Sequence, residues 1–165
     1  MTKGDAKNAI TPEKALELLQ RLCAQQEKCT HDLALKLRQW GLAQTDIDLV
    51  IGRLISDGYV DDSRYATLYV REKSRLNGWG PIKLRAMLTA KGIAQDIVNH
   101  ALDELNDADS NARLADLLRK KMLQVKARSR VDLRNKLIRF GLSRGFPLSL
   151  VAEAVNNLLG PDEYD

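Results

Sequence analysis

Two cysteines and a nearby histidine form the one cluster in this sequence that suggests metal chemistry. Cys23 and Cys29 are the only cysteines, and His31 follows the second of them closely. A structural zinc ion requires four ligands at a regular spacing, and the only other histidine, His100, lies in a distant part of the chain. We therefore interpret the cysteines as reduced residues in and beside a helix, and we expect no metal and no cofactor.

The adjacent carboxylates of Asp61 and Asp62 could in principle bind a cation or act as an acid–base pair. Neighbouring residues at the start of a helix seldom point in the same direction, whereas either carboxylate can accept hydrogen bonds from the first amides of that helix. We interpret the pair as a helix cap. Because the sequence also has no glycine-rich phosphate loop and no nucleophile beside a histidine in a recognisable catalytic setting, we expect no enzymatic activity.

The aromatic residues offer a different kind of chemistry. Trp79 lies between two glycines, so its indole could be exposed in a turn, where it would anchor a partner or stack on a base. Alternatively it folds back over its own part of the protein, and the sequence leaves both interpretations open. Tyr65 and Tyr69 are one helical turn apart and are expected to pack between helices, with their hydroxyls at an edge.

The charge is distributed unevenly. The net charge is +4, but residues 110–145 contain eleven Lys/Arg and only two Asp/Glu, whereas residues 1–109 contain fifteen and sixteen. A basic segment of this kind predicts a polyanionic or acidic partner, and a second basic cluster near Trp79 extends the surface. The predicted binding surface comprises Arg71, Lys73, Arg75, Trp79, Lys83, Arg85, Arg113, Arg119, Lys120, Lys126, Arg128, Arg130, Arg134, Lys136 and Arg139.

The elements that position these residues follow from an internal repeat. A pair of leucines four residues apart, followed after four more residues by glycine, occurs three times: Leu33, Leu37 and Gly41; Leu84, Leu88 and Gly92; Leu133, Leu137 and Gly141. Each glycine can end a helix in the left-handed conformation. Amphipathic segments precede and follow each copy, so the pattern predicts nine helices in three units and no sheet.

The boundaries of the units follow from capping signals. Thr11, Thr30, Thr45 and Ser129 are predicted to cap helices. The predicted organisation is a polar tail at 1–10, three-helix repeats at 11–58, 59–106 and 107–160, and an acidic tail at 161–165. Units of this size bury little surface alone, so we expect them to pack on one another. No secretory signal or membrane-spanning run is recognisable, and we expect a cytoplasmic protein.

The middle unit resembles a known family. Residues 58–66 have the sequence GYVDDSRYA, and residues 78–85 have the sequence GWGPIKLR, followed by Leu88, Lys91, Gly92 and Ile93. Together these motifs resemble the RecX family of bacterial recombination regulators. Met87 departs from the pattern, because many members carry a carboxylate there, which puts in doubt any role for a charge at this position. The close match covers residues 58–93, and the three-unit organisation extends it over most of the chain.

The resemblance implies an elongated, curved array of three tandem, helix-turn-helix-like repeats that binds the filament of the RecA recombinase. It also implies inhibition of ATP hydrolysis, strand exchange and co-protease activity, and hence a role in recombination, repair and the SOS response. Single- or double-stranded DNA is a further candidate partner, and we expect a monomer. The alternative is a helix-turn-helix transcription regulator, but the predicted third helices contain few Lys or Arg residues to read a major groove.

Overall fold

The computed structural model describes residues 10–160, and within that range the regular structure is entirely α-helical. The helices are α1 (Pro12–Gln25), α2 (Thr30–Gln39), α3 (Gln44–Ser56), α4 (Asp62–Leu76), α5 (Pro81–Ala90), α6 (Gln95–Asp103), α7 (Asp107–Gln124), α8 (Arg130–Ser143) and α9 (Leu148–Leu159). The all-α prediction is confirmed. The predicted tails lie outside the described residues, apart from Ile10.

The helices form three consecutive groups, each around its own apolar core. The first unit (α1–α3) buries Leu19, Leu37 and Leu54, the second (α4–α6) buries Val70, Leu88 and Val98, and the third (α7–α9) buries Leu118, Leu137 and Val151. Three separate cores in consecutive groups of helices identify a tandem repeat.

None of the helices between residues 10 and 160 combines the length and the apolar character needed to cross a bilayer. This finding agrees with the sequence, which contains no uninterrupted apolar run of the roughly 20 residues that a membrane-spanning helix needs.

Two of the four predicted threonine and serine caps are confirmed. Thr11 accepts a hydrogen bond from an amide in the first turn of α1, and Ser129 does the same for α8. The prediction is wrong for Thr30 and Thr45, because α2 begins at Thr30 itself and α3 begins one residue before Thr45. Thr30 instead uses its polar groups for a contact with Asp62 in the next unit.

The third repeat departs from the predicted glycine register. Gly41 and Gly92 adopt positive φ angles of 85° and 67°, as expected at helix ends. Gly141, however, lies inside α8, and the left-handed glycine of this unit is Gly145, with φ of 90°. The helix therefore continues for one more turn. Gly141 is required for a different reason, since a Cβ atom there would lie 2.6 Å from a methyl group of Val151.

Candidate binding surface

The first junction, between the first and second units, is made by side chains. The Asp62 carboxylate accepts hydrogen bonds from the Thr30 amide (2.9 Å) and the Thr30 hydroxyl (2.8 Å). Lys91 forms an ion pair with Asp32 at 2.8 Å. A second ion pair joins Arg64 to Glu27, and Cys29, fully buried, packs into the core of the second unit. The acidic motif of the second unit therefore attaches the first unit.

Burial and charge pairing at the first junction shift three pKa values. Burial raises the pKa of the Cys29 thiol to about 11, so this cysteine is protonated at neutral pH. Burial alone would lower the pKa of Lys91, but the hydrogen bond to Asp32 and the neighbouring Tyr65 hold it above its usual range. Burial also acts against ionisation of Asp32, yet the ammonium of Lys91 keeps the Asp32 pKa below its ordinary value. The pair is therefore charged over a wide pH range.

The second junction, between the second and third units, is made mainly by backbone. The Gly80 amide donates to the Arg144 carbonyl at 2.7 Å, and the Ile82 amide donates to the Gly145 carbonyl at 3.0 Å. A Cβ atom on Gly80 would lie 2.5 Å from the Gly145 carbonyl oxygen. The Gly-Trp-Gly-Pro turn therefore needs glycine because another backbone approaches it directly.

Trp79, between these glycines, is half-buried against the core of the second unit. Its ring centre lies 6.3 Å from that of Tyr69. The ammonium groups of Lys83 and Lys73 lie 4.6 Å and 5.3 Å from the centre of the indole. At these distances the ring quadrupole attracts both cations, so the tryptophan folds back onto its unit and holds two lysines beside it.

A similar arrangement occurs in the third unit. The Lys121 ammonium and the Arg144 guanidinium each lie 5.1 Å from the ring centre of Phe140. Arg144 belongs to the turn that receives the Gly80 amide, so the two aromatic sites adjoin across the second junction. We define the junction patch as Lys73, Trp79, Lys83, Lys121, Phe140 and Arg144. Within residues 10–160, none of its four cations forms an ion pair.

Sequence reasoning placed Lys73, Trp79 and Lys83 in the binding surface but omitted Lys121, Phe140 and Arg144. The signal that could have found them is the four-residue spacing of Phe140 and Arg144, which puts a ring and a guanidinium on one helical face. The position of Lys121 depends on how α7 packs beside α8, which periodicity within one helix does not reveal.

Many other predicted binding residues make internal contacts. Arg71 pairs with Glu104, Arg119 with Asp116, and Lys136 with Asp132. Further hydrogen bonds join Arg85 to Asn99, Arg113 to Ser74, Arg130 to the Leu159 carbonyl, Arg134 to Asn156 and the Gly160 carbonyl, and Arg139 to the Asn135 carbonyl. Arg134 is only 8% exposed. Its guanidinium therefore ties α8 to the end of α9.

The remaining predicted cations are exposed. The side chains of Arg75, Lys120, Lys126 and Arg128 make neither an ion pair nor a hydrogen bond within the described part of the chain. No group of three potential metal ligands occurs among residues 10–160 either. Among the cations of the predicted surface and the junction patch, those whose side chains make neither an ion pair nor a hydrogen bond in the described part of the chain are thus these four and the four of the junction patch.

The fold defines an all-helical repeat protein whose second and third units expose cationic side chains. Models of the RecX family match the chain as its second three-helix domain over residues 61–102 and as its third three-helix domain over residues 107–155. The chain is 30% identical to the regulatory protein RecX of Pseudomonas savastanoi pv. phaseolicola over 155 residues, covering 92% of this chain and 96% of the relative. The chain belongs to the RecX family of regulatory proteins.

Other relatives extend the comparison. RecX of Thermus thermophilus is 35% identical over 111 residues, which cover 67% of this chain and 69% of that protein. RecX of Bacillus cytotoxicus is 30% identical over 74% of this chain, but the match spans only 45% of that longer protein. Crystal structures of RecX from Lactobacillus salivarius (TM-score 0.78, 23% identity, 89% and 96% coverage) and of a second regulatory protein RecX (0.80, 22%, 94% and 79%) have the same fold.

Proposed function

We propose that this chain binds the RecA recombinase filament and inhibits its ATP hydrolysis, strand exchange and co-protease activity. It would thereby regulate recombination, repair and the SOS response in the cytoplasm. The observation that carries the proposal is membership of the RecX family, shown by two domain models and by 30% identity over 155 residues to a regulatory protein RecX. Inhibition of this kind requires binding alone, so it needs no cofactor.

The physical basis is an elongated array with a cationic face. Two junctions join the three units, so a monomer could span neighbouring subunits of a filament and hinder their addition or rearrangement. The four cations of the junction patch are held on aromatic faces, which reduces the side-chain entropy that binding would cost. They would contact acidic side chains of the filament or phosphates of its single- or double-stranded DNA, and this attraction should weaken as salt rises.

The position of the basic residues favours binding to the filament over recognition of a DNA major groove by a third helix. Helices α6 and α9 contain no Lys or Arg, and α3 contains only Arg53. A recognition helix in a major groove generally uses such residues to contact base edges. Apart from Arg53, the cations of the described residues lie instead on first and second helices and on the turns within units.

The decisive experiment measures RecA ATP hydrolysis on single-stranded DNA with this chain at sub-stoichiometric and equal concentrations. We expect inhibition that saturates, and no inhibition at any ratio would overturn the proposal. Changing Lys83 and Lys121 together to glutamate should raise the half-inhibitory concentration by on the order of tenfold, because two contacts become repulsive. The matched control changes Lys14 and Arg53, in the first unit, to glutamate and should shift the curve much less.

A further inference from the structure

A groove lies between the first and second units, and its lining residues belong to these two units. It encloses about 600 Å³. One wall comes from the first unit and the floor from the second. The lining residues are Gln25, Gln26 and Glu27 on the wall, and Tyr65, Leu68, Tyr69, Glu72, Lys73, Trp79, Met87 and Lys91 on the floor and rim.

The floor of this groove is a row of aromatic rings. The ring centres of Tyr65 and Tyr69 are 5.8 Å apart, and those of Tyr69 and Trp79 are 6.3 Å apart. The row extends over at most roughly 12 Å, the length of about four residues of extended chain. Leu68 and Met87 at the rim are 36% and 37% exposed. Some recognition domains bind extended peptides in aromatic-lined grooves, with the peptide side chains against the rings.

The charges around the groove distinguish a peptide from a nucleic acid. At one end, Lys73 lines the groove, and its ammonium and that of Lys83, just outside the lining, lie over the Trp79 ring. At the other end, the ammonium of Lys91 is neutralised by Asp32 outside the groove. Glu72, on the rim, forms no ion pair within residues 10–160. A phosphodiester chain is negative along its whole length and would be repelled by this carboxylate. A peptide with apolar residues followed by one carboxylate complements both the rings and the two lysines.

We propose that this groove binds an extended peptide segment of the filament protein, in which apolar residues lie on the aromatic row and an Asp or Glu contacts Lys73 and Lys83. The inference rests on the proposed function, since it assigns a docking site to the same partner. Because the wall and the floor belong to different units, the site exists only when the first junction is formed. Occupancy of the groove would in turn stabilise that junction.

The test uses a photo-crosslinking p-benzoylphenylalanine in place of Met87, with RecA filaments on single-stranded DNA. We expect crosslinks to one peptide of the filament protein that contains apolar residues next to an acidic residue. The control carries the same photo-residue in place of Leu123, which is 84% exposed on α7, and should not label that peptide. Adducts with DNA, or no adduct from a Met87 variant that still inhibits ATP hydrolysis, would overturn the groove assignment and leave the proposed function intact.

The charge argument has its own test in the Met87 photo-variant. Adding Lys73→Glu should reduce the crosslink yield at least fivefold, because a carboxylate would replace the ammonium at the cationic end. Adding Lys14→Glu, an equal charge change on an exposed residue of the first unit outside the predicted binding surface, should leave the yield within twofold. Equal crosslink yields in the two backgrounds would contradict the predicted carboxylate on the bound peptide. A circular dichroism spectrum like that of the parent protein verifies that both variants are folded.

Discussion

The two junctions join similar units by different physical means. At the first junction, flexible side chains make the contacts between the units. The Asp62 carboxylate accepts two hydrogen bonds from Thr30, and two ion pairs join the units. At the second, the Gly80 and Ile82 amides bond directly to carbonyls of the third unit, with distances of 2.7 and 3.0 Å. Side-chain contacts can lengthen or rotate at little cost, whereas directly packed backbones have no such freedom. We therefore expect the first junction to adapt and the second to remain rigid.

The family motifs correspond to these two junctions. The Gly-Tyr-Val-Asp-Asp segment supplies Asp62 to the first junction, and the Gly-Trp-Gly-Pro segment supplies Gly80 to the second. Both motifs belong to the middle unit, which is the only one that contacts a neighbour on each side. In this protein the motifs that resemble the family pattern therefore specify how the units assemble. The junction patch lies beside the second of these junctions.

The largest effect is expected from Gly80→Ala at the second junction. The added Cβ would lie 2.5 Å from the Gly145 carbonyl oxygen and 2.8 Å from the Phe146 ring, and the carbonyl cannot move away by a side-chain rotation. We expect a loss of about 3 kcal/mol in the free energy of unfolding, measured by urea denaturation. Hydrogen exchange at the Ile82 amide should accelerate at the same time.

A glycine in open space provides the matched control for Gly80→Ala. Gly52 lies on the exposed side of α3, and a Cβ there would meet nothing within 4 Å. Gly52→Ala should stabilise the protein by about 0.5–1 kcal/mol, because alanine loses less backbone entropy in a helix. Similar effects of the two substitutions would mean that the second junction is no more rigid than the protein surface.

A smaller effect is expected from Asp62→Ala at the first junction. The change removes the acceptor of two hydrogen bonds from Thr30 and should cost about 1–2 kcal/mol. Exchange of the Thr30 amide should accelerate, while the Ile82 amide of the second junction stays protected. Asp61→Ala removes only the cap of α4, so it should cost about 1 kcal/mol without changing exchange at Thr30. Equal acceleration of Thr30 amide exchange in both variants would contradict the hydrogen bonds between Asp62 and Thr30.

The sequence predicted the helices well because apolar spacing within each helix determines which face is buried. The leucine pairs Leu33/Leu37 and Leu84/Leu88, and a helix cap within the Asp61-Asp62 pair, could be recognised without coordinates, although the structure assigns the cap to Asp61 alone. These features depend on residues within a few positions of one another. Local chemistry was therefore sufficient to predict the class of fold.

Contacts between units could not be predicted in this way. Asp62 has the same local signal as Asp61, yet its partner Thr30 is 32 residues earlier. Gly141 matched the repeat by sequence, but the extra helical turn moved the left-handed glycine to Gly145. Lys121 joins the junction patch only because α7 packs beside Phe140 of α8. Each of these outcomes depends on how helices pack, which a pattern along one helix does not contain.

The smallest effect on stability is expected from Lys91→Met. Its dependence on pH should distinguish the first junction, which contains titrating groups, from the second. Methionine keeps packing against Tyr65 but removes the partly exposed ion pair with Asp32, which should cost about 0.5–1 kcal/mol at neutral pH. The Asp32 pKa is lowered in the folded protein, so its contribution is present above about pH 4 and is lost as pH falls through that lowered value. The Lys91 pKa is raised, so its contribution is present below about pH 10.4 and is lost as pH rises beyond it.

The difference in stability between the parent protein and Lys91→Met should therefore be greatest near neutral pH and shrink at both extremes. Urea denaturation at pH 3, 7 and 11 measures it. The backbone hydrogen bonds of the second junction contain no titrating group, so exchange at Ile82, corrected for intrinsic rates, should be the same in the two proteins at every pH. A pH-independent difference between the proteins would show that Lys91 acts through packing alone, and the first junction would then lose its electrostatic character.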